Sequence, residues 1–124
     1  MGEIIGEHYQ QKIALTKAGT PGVDAITEEI RIISIKNMQG QSVSSNLSKL
    51  TDNINEAIHK YKPVKPLNTD LKVEIWVKGD YATTSQALER WNIIKDVNVL
   101  ITENTNFVGK IFYKGPDGII ELTW

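Results

Sequence analysis

The sequence predicts an α/β fold, a mixed β-sheet flanked by helices. Three observations carry that expectation. Residues 44–61 place Leu47, Leu50, Ile54, Ala57, Ile58 and Tyr61 at spacings of three and four, one apolar stripe on a helix. Residues 71–77, LKVEIWV, alternate apolar and polar side chains, as a strand with one face in a core does. The apolar runs FVGKIFY and IIELTW flank KGPDG, which reads as a hairpin turn.

The remaining elements follow in chain order. Residues 3–17 read as a first helix from the spacing of Ile4, Ile5, Ile13 and Ala14, ended by Gly19 and the break GTPG. Residues 23–26 form a short strand, TEE a tight connection, and residues 30–36, rich in isoleucine, a second strand. NMQGQS is a loop, and Ser44 or Ser45 is the expected N-cap of the helix that follows. KYKPVKPLNTD, residues 60–70, has two prolines that stop a helix and connects elements within one domain. Thr83 with Gln86 three residues later is a capping-box pattern, and Ala87, Leu88, Trp91 and Ile94 share a face beyond it. VNVLI, residues 97–101, reads as a strand. The chain ends on an apolar strand at Trp124, as expected of a C-terminal module.

A chain of 124 residues is expected to form a single domain, 1–124, with an ordinary core. Hydrophobic residues at 40% and charged residues at 23% fit a globular domain. The absence of cysteine excludes a thiol nucleophile, a disulfide and a cysteine zinc site. With a net charge of −1 the chain is not a globally basic nucleic-acid binder, so a basic patch has to arise from folding. No apolar run approaches the roughly 18 residues of a membrane span. The start MGEIIGEHYQQ lacks the basic flank and apolar stretch of a signal peptide.

Chemistry concentrates in TPGVDAITEEIRIISIK, residues 20–36. Alternate residues of a strand share a face, so Ile30, Ile32, Ser34 and Lys36 point one way and Arg31, Ile33 and Ile35 the other. A face that passes from isoleucine to serine to lysine leaves the core and enters something polar. Asp24 lies on the preceding strand. Pairing Ile26 with Ile30 would set Asp24 by Ile32, and a small offset sets it beside Ser34. An acid, a hydroxyl and a lysine then converge at one end of the sheet. For phosphodiester cleavage, the carboxylate holds a divalent cation or orients the nucleophile. The lysine offsets charge that grows on the phosphate.

This arrangement resembles the PD-(D/E)xK nucleases, which carry an acid on one strand, an acid-x-lysine on the next, and often an acid on the preceding helix. Asp24 matches the first acid, Ser34 stands in place of the second, and Lys36 matches the lysine. Glu7 is the choice for the helix acid, with Glu3 one turn earlier as its alternative. PGVDAI, IISIKNM, the amphipathic helix and RWNIIKDVNVLI together resemble the C-terminal toxin domains of contact-dependent growth inhibition proteins over roughly residues 7–101. One group of those toxins carries Ser-x-Lys. The resemblance implies a restriction-endonuclease-like core. It implies a nuclease exported or displayed on a larger protein and acting in the cytoplasm of a target bacterium, with a cognate immunity protein as partner. tRNA is the expected substrate and DNA the alternative. Glu7 and Asp24 are the expected holders of a weakly bound Mg2+ or other divalent cation. Serine brings no charge to a cation, so metal-free cleavage of RNA through its 2′-hydroxyl is open as well. Apart from the resemblance, Lys60, Lys62 and Lys65 are candidate phosphate contacts, with a solvated helix end as their plainer role.

Plainer roles stand beside these. Asp24 after Pro-Gly suits a turn, Lys36 a solvated strand end, and Ser34 a buried hydroxyl bonded to backbone. Glu7 and Gln11 suit a helix surface. His8 and His59 invite an acid–base pair, and Trp76, Trp91 and Trp124 invite base stacking, although core packing accounts for Trp91. The rival from a different class is a non-catalytic immunity or partner-binding domain, which the mild acidity suits.

Overall fold

The computed structural model describes residues 1–9, 13–15, 23–27, 32–65, 70–95 and 106–123. Within them the order is α1 (Gly2–Tyr9), β1 (Ile13–Leu15), β2 (Ala25–Thr27), β3 (Ile32–Asn37), α2 (Val43–Ser48), α3 (Leu50–Tyr61), a 3-10 turn (Lys62–Val64), β4 (Val73–Lys78), α4 (Thr84–Ile94), β5 (Val108–Gly115) and β6 (Gly118–Glu121). The six strands make one mixed sheet in the order β1-β2-β3-β4-β5-β6. β1, β2 and β3 run antiparallel in turn, β3, β4 and β5 are parallel, and β6 returns antiparallel on β5. The α/β class and the mixed, helix-flanked sheet agree with the sequence.

Two apolar layers hold the sheet. Ile32, Val73, Ile75, Val77, Ile111 and Tyr113 bury one face against Leu50, Ile54, Ala57, Ile58 and Tyr61 of α3 and against Ala87 and Trp91 of α4. Ile33, Trp76 and Phe112 bury the other face against Ile5 of α1. Both parallel crossovers, β3 to β4 and β4 to β5, therefore send their helices to the same side, as right-handed connections require. Burial lifts the phenol of Tyr113 to a pKa of about 12, and its hydroxyl donates to Ala82 O.

Several local expectations change. The first helix stops at Tyr9, and Ile13–Leu15 is a strand paired with β2. The long helix is two, α2 and α3, broken at Lys49 where the amide of Lys49 turns back to Asn46 O. Its N-cap is Ser42, with Ser45 as the reciprocal partner at N3. Asn46 is fully buried, and its Oδ1 accepts from the amides of Tyr81 and Ala82, tying α2 to the turn after β4.

β4 is buried on both faces rather than one, because α1 covers Glu74 and Trp76. The hydroxyl of Tyr9 donates to the Glu74 carboxylate there. The hairpin turn forms at Pro116–Asp117, with Gly118 at φ 144°, a conformation that L side chains rarely adopt. The strand expected at 97–101 lies outside the described residues, as do Gln11 and Trp124. Among the described residues no helix is long and apolar enough to cross a membrane.

The Thr83 capping box forms as its sequence predicts. Thr83 Oγ1 accepts from Gln86 N, and Gln86 Oε1 accepts from Thr83 N at 2.9 Å. Thr83→Ala is expected to lower stability by about 1 kcal/mol, read from the urea midpoint at unchanged m-value.

Candidate active site

The site is built where β2 parts from β3. The ladder between them pairs Ile26 with Ile32 and Ala25 with Ile33, which brings Asp24 opposite Ser34. The Asp24 amide still donates to Ile33 O at 2.8 Å. One step on, a side chain takes over from the backbone: Asp24 Oδ2 accepts from the Ile35 amide at 2.7 Å. The same oxygen is approached by the Ser34 hydroxyl at 3.4 Å, longer than an ordinary O–H···O bond. The charge-assisted amide contact therefore does most to fix this carboxylate. Ser34 is almost fully buried and faces the α3 side with Ile32 and Lys36, as the alternation predicts.

Lys36 carries that face to the surface. Its side chain is only 15% exposed, and its Nζ lies 3.3 Å from Glu56 Oε1 on α3. The same Glu56 oxygen takes Lys60 Nζ at 2.7 Å, one helical turn on. These ammonium groups, Lys60 first and then Lys36, hold the Glu56 carboxyl below the usual carboxylate range. Glu56 in turn raises Lys60, and the charge of Asp24 adds to the same shift. Asp24, Ser34, Lys36, Glu56 and Lys60 thus share one face of the sheet and the helix that covers it. A hollow of about 300 Å³ lined by Asn55, Glu56, His59 and Lys60 opens beside them.

Other candidates stand elsewhere. Glu7 is exposed on α1, whose Ile5 packs with Ile33, Trp76 and Phe112 on the opposite face of the sheet. Glu7 and Asp24 therefore stand on elements that serve opposite faces of the sheet. Glu3 sits on the same helix. His8 packs edge-on to Trp76 and Phe112, at 5.3 and 5.1 Å between ring centroids, while His59 is exposed on α3; the two are not a pair. Lys62 lies two residues beyond Lys60, about 200° around a helix. Its Nζ sits 5.5 Å from the Phe107 ring centroid, and Lys65 joins the same ring at 5.2 Å. Trp76 and Trp91 are core residues and present no stacking face.

Among the described residues no three His, Cys, Asp or Glu side chains gather in a metal-binding group. Among the described residues Asp24 is the carboxylate at the β2–β3 notch, and Glu56 is bound to two lysines.

The residue that sequence reasoning missed is Glu56. Its i,i+4 spacing to Lys60 is visible in the sequence, but that pattern is common on helix surfaces. Its contact with Lys36 spans twenty residues and exists only once α3 lies across β3. No family model matches the chain, and neither the curated proteins nor the solved structures contain a significant match to it.

Proposed function

We propose that this chain is a nuclease domain that cleaves RNA, with tRNA as its substrate. It acts as a toxin exported on a larger protein into the cytoplasm of neighbouring bacteria, and a cognate immunity protein is its partner. A PD-(D/E)xK-type core is part of the same proposal. The observation that carries it is the gathering of Asp24, Ser34 and Lys36 on one face at the end of β2 and β3. An acid fixed by backbone, and a lysine two residues beyond Ser34 on the same face of β3, suit phosphodiester cleavage.

In the proposed reaction Asp24 accepts the proton of the ribose 2′-hydroxyl as that oxygen bonds to phosphorus. The bond from phosphorus to the 5′-oxygen breaks, and that oxygen takes a proton from water. The product ends are a 2′,3′-cyclic phosphate and a free 5′-hydroxyl. Lys36 offsets the charge that builds on the non-bridging oxygens. Ser34 orients the substrate or a water and adds no charge.

The test is to incubate the purified chain with total tRNA and with plasmid DNA, each with and without a chelator. Discrete tRNA fragments that persist in chelator support the reading. Plasmid cleavage that chelator abolishes would replace it with a metal-dependent DNase. Inertness toward both, with harmless expression in a host cell, would favour a partner-binding domain.

A further inference from the structure

One oxygen of Glu56 holds two ammonium groups, Lys60 Nζ at 2.7 Å and Lys36 Nζ at 3.3 Å. The Glu56–Lys60 pair alone is ordinary helix-surface chemistry. Lys36 is different, since it comes from a strand, has a side chain only 15% exposed, and still turns onto the same oxygen. Two ammonium groups converging on one anionic oxygen are a seat of the kind that takes a non-bridging phosphate oxygen. Asp24 does not fill this seat, because its Oδ2 is engaged by the Ile35 amide and the Ser34 hydroxyl.

We propose that the Glu56 carboxylate occupies the position of a substrate phosphodiester, and that Lys36 and Lys60 pass from Glu56 to the phosphate when substrate binds. The inference deepens the nuclease reading and takes the diester identity of the ligand from it. Burial supports the exchange. Glu56 and Lys60 are half exposed, at 51% and 50%, and free to swing, whereas Lys36 is held. Among the described residues the bonds of Glu56 are those to the two lysines, so no other contact has to break. Glu56 is then a competitor of the substrate, not a support for Lys36, and the two roles predict opposite effects of removing its charge.

The experiment titrates the full chain with dimethyl phosphate and, separately, with inorganic phosphate, following the side-chain NMR signals of Lys36 and Lys60. Dimethyl phosphate is expected to shift both signals. Glu56→Gln is expected to bind it about five-fold more tightly, the effect of lifting one like charge at roughly 4 Å in water. Lys60→Gln in the Glu56→Gln background should abolish that gain. Glu56→Asp keeps the charge and should bind near the wild-type level. Equal or weaker binding by a folded Glu56→Gln chain overturns the proposal, as does a response to inorganic phosphate alone. A gain in a chain that cleaves no nucleic acid would leave the seat standing and remove the nuclease reading. Cleavage without a gain would do the reverse.

Discussion

Lys36→Ala is expected to lower tRNA cleavage by about 10²–10³-fold, the effect of losing one preorganised donor to transition-state charge. The fold should change little. Lys36 stands near the end of β3, and among the described residues its ion pair is with the half-exposed Glu56, a contact of the kind that contributes at most about 1 kcal/mol. Activity and stability are thereby separated. Cleavage kinetics fall while the urea midpoint stays close to wild type. Lys36→Arg is not a rescue, since the planar guanidinium does not reproduce a point charge at this position. A Lys36→Ala chain that loses activity only in proportion to lost folding would show a structural lysine.

The largest effect on stability is expected at Trp91. The residue is fully buried at the centre of the layer between α4 and the sheet, and its Nε1 donates to Thr123 O at 2.7 Å. Trp91→Ala removes that packing and leaves a cavity, at a cost of about 3–5 kcal/mol. That is a large share of the roughly 5–15 kcal/mol that stabilises a domain. The nearby Ile93 is 62% exposed, so Ile93→Ala should fall within about 0.5 kcal/mol of wild type. Denaturant unfolding of the two variants side by side measures the difference. Similar midpoints would mean that α4 is not docked through Trp91.

Some of this was legible in the sequence. The alternation around Ser34 gave the correct faces of β3, because side-chain period in a strand is a local property. The Thr83–Gln86 box and the KGPDG turn were legible for the same reason: each is completed within a few residues. The stripe from Leu47 to Tyr61 gave the buried face of α3 but concealed the break at Lys49. The break is tied to Asn46, whose partners Tyr81 and Ala82 are distant in sequence. The first helix was overextended because Ile13 fits a helical spacing from Ile5 as well as it fits a strand. Pairing with β2 decides the matter.

The candidate site divides along the same line. Asp24, Ser34 and Lys36 were found because two adjacent strands bring them together with an offset that sequence nearly fixes. Glu7 was assigned by analogy to a helix acid, and nothing in the sequence states which face of the sheet its helix covers. Ile5 answers that, by burying against Ile33 and Trp76. Glu56 was invisible for the converse reason: its contact with Lys36 depends on how α3 crosses the sheet.

The most direct test is the Asp24→Asn substitution, which keeps the shape of the side chain and an oxygen for the Ile35 amide while removing the proton acceptor. Cleavage of total tRNA is compared with wild type, and the new ends are mapped. The account predicts 2′,3′-cyclic phosphate ends from the wild type and a loss of at least about a hundred-fold in rate from Asp24→Asn. An Asp24→Asn chain that cuts tRNA at the wild-type rate would contradict it.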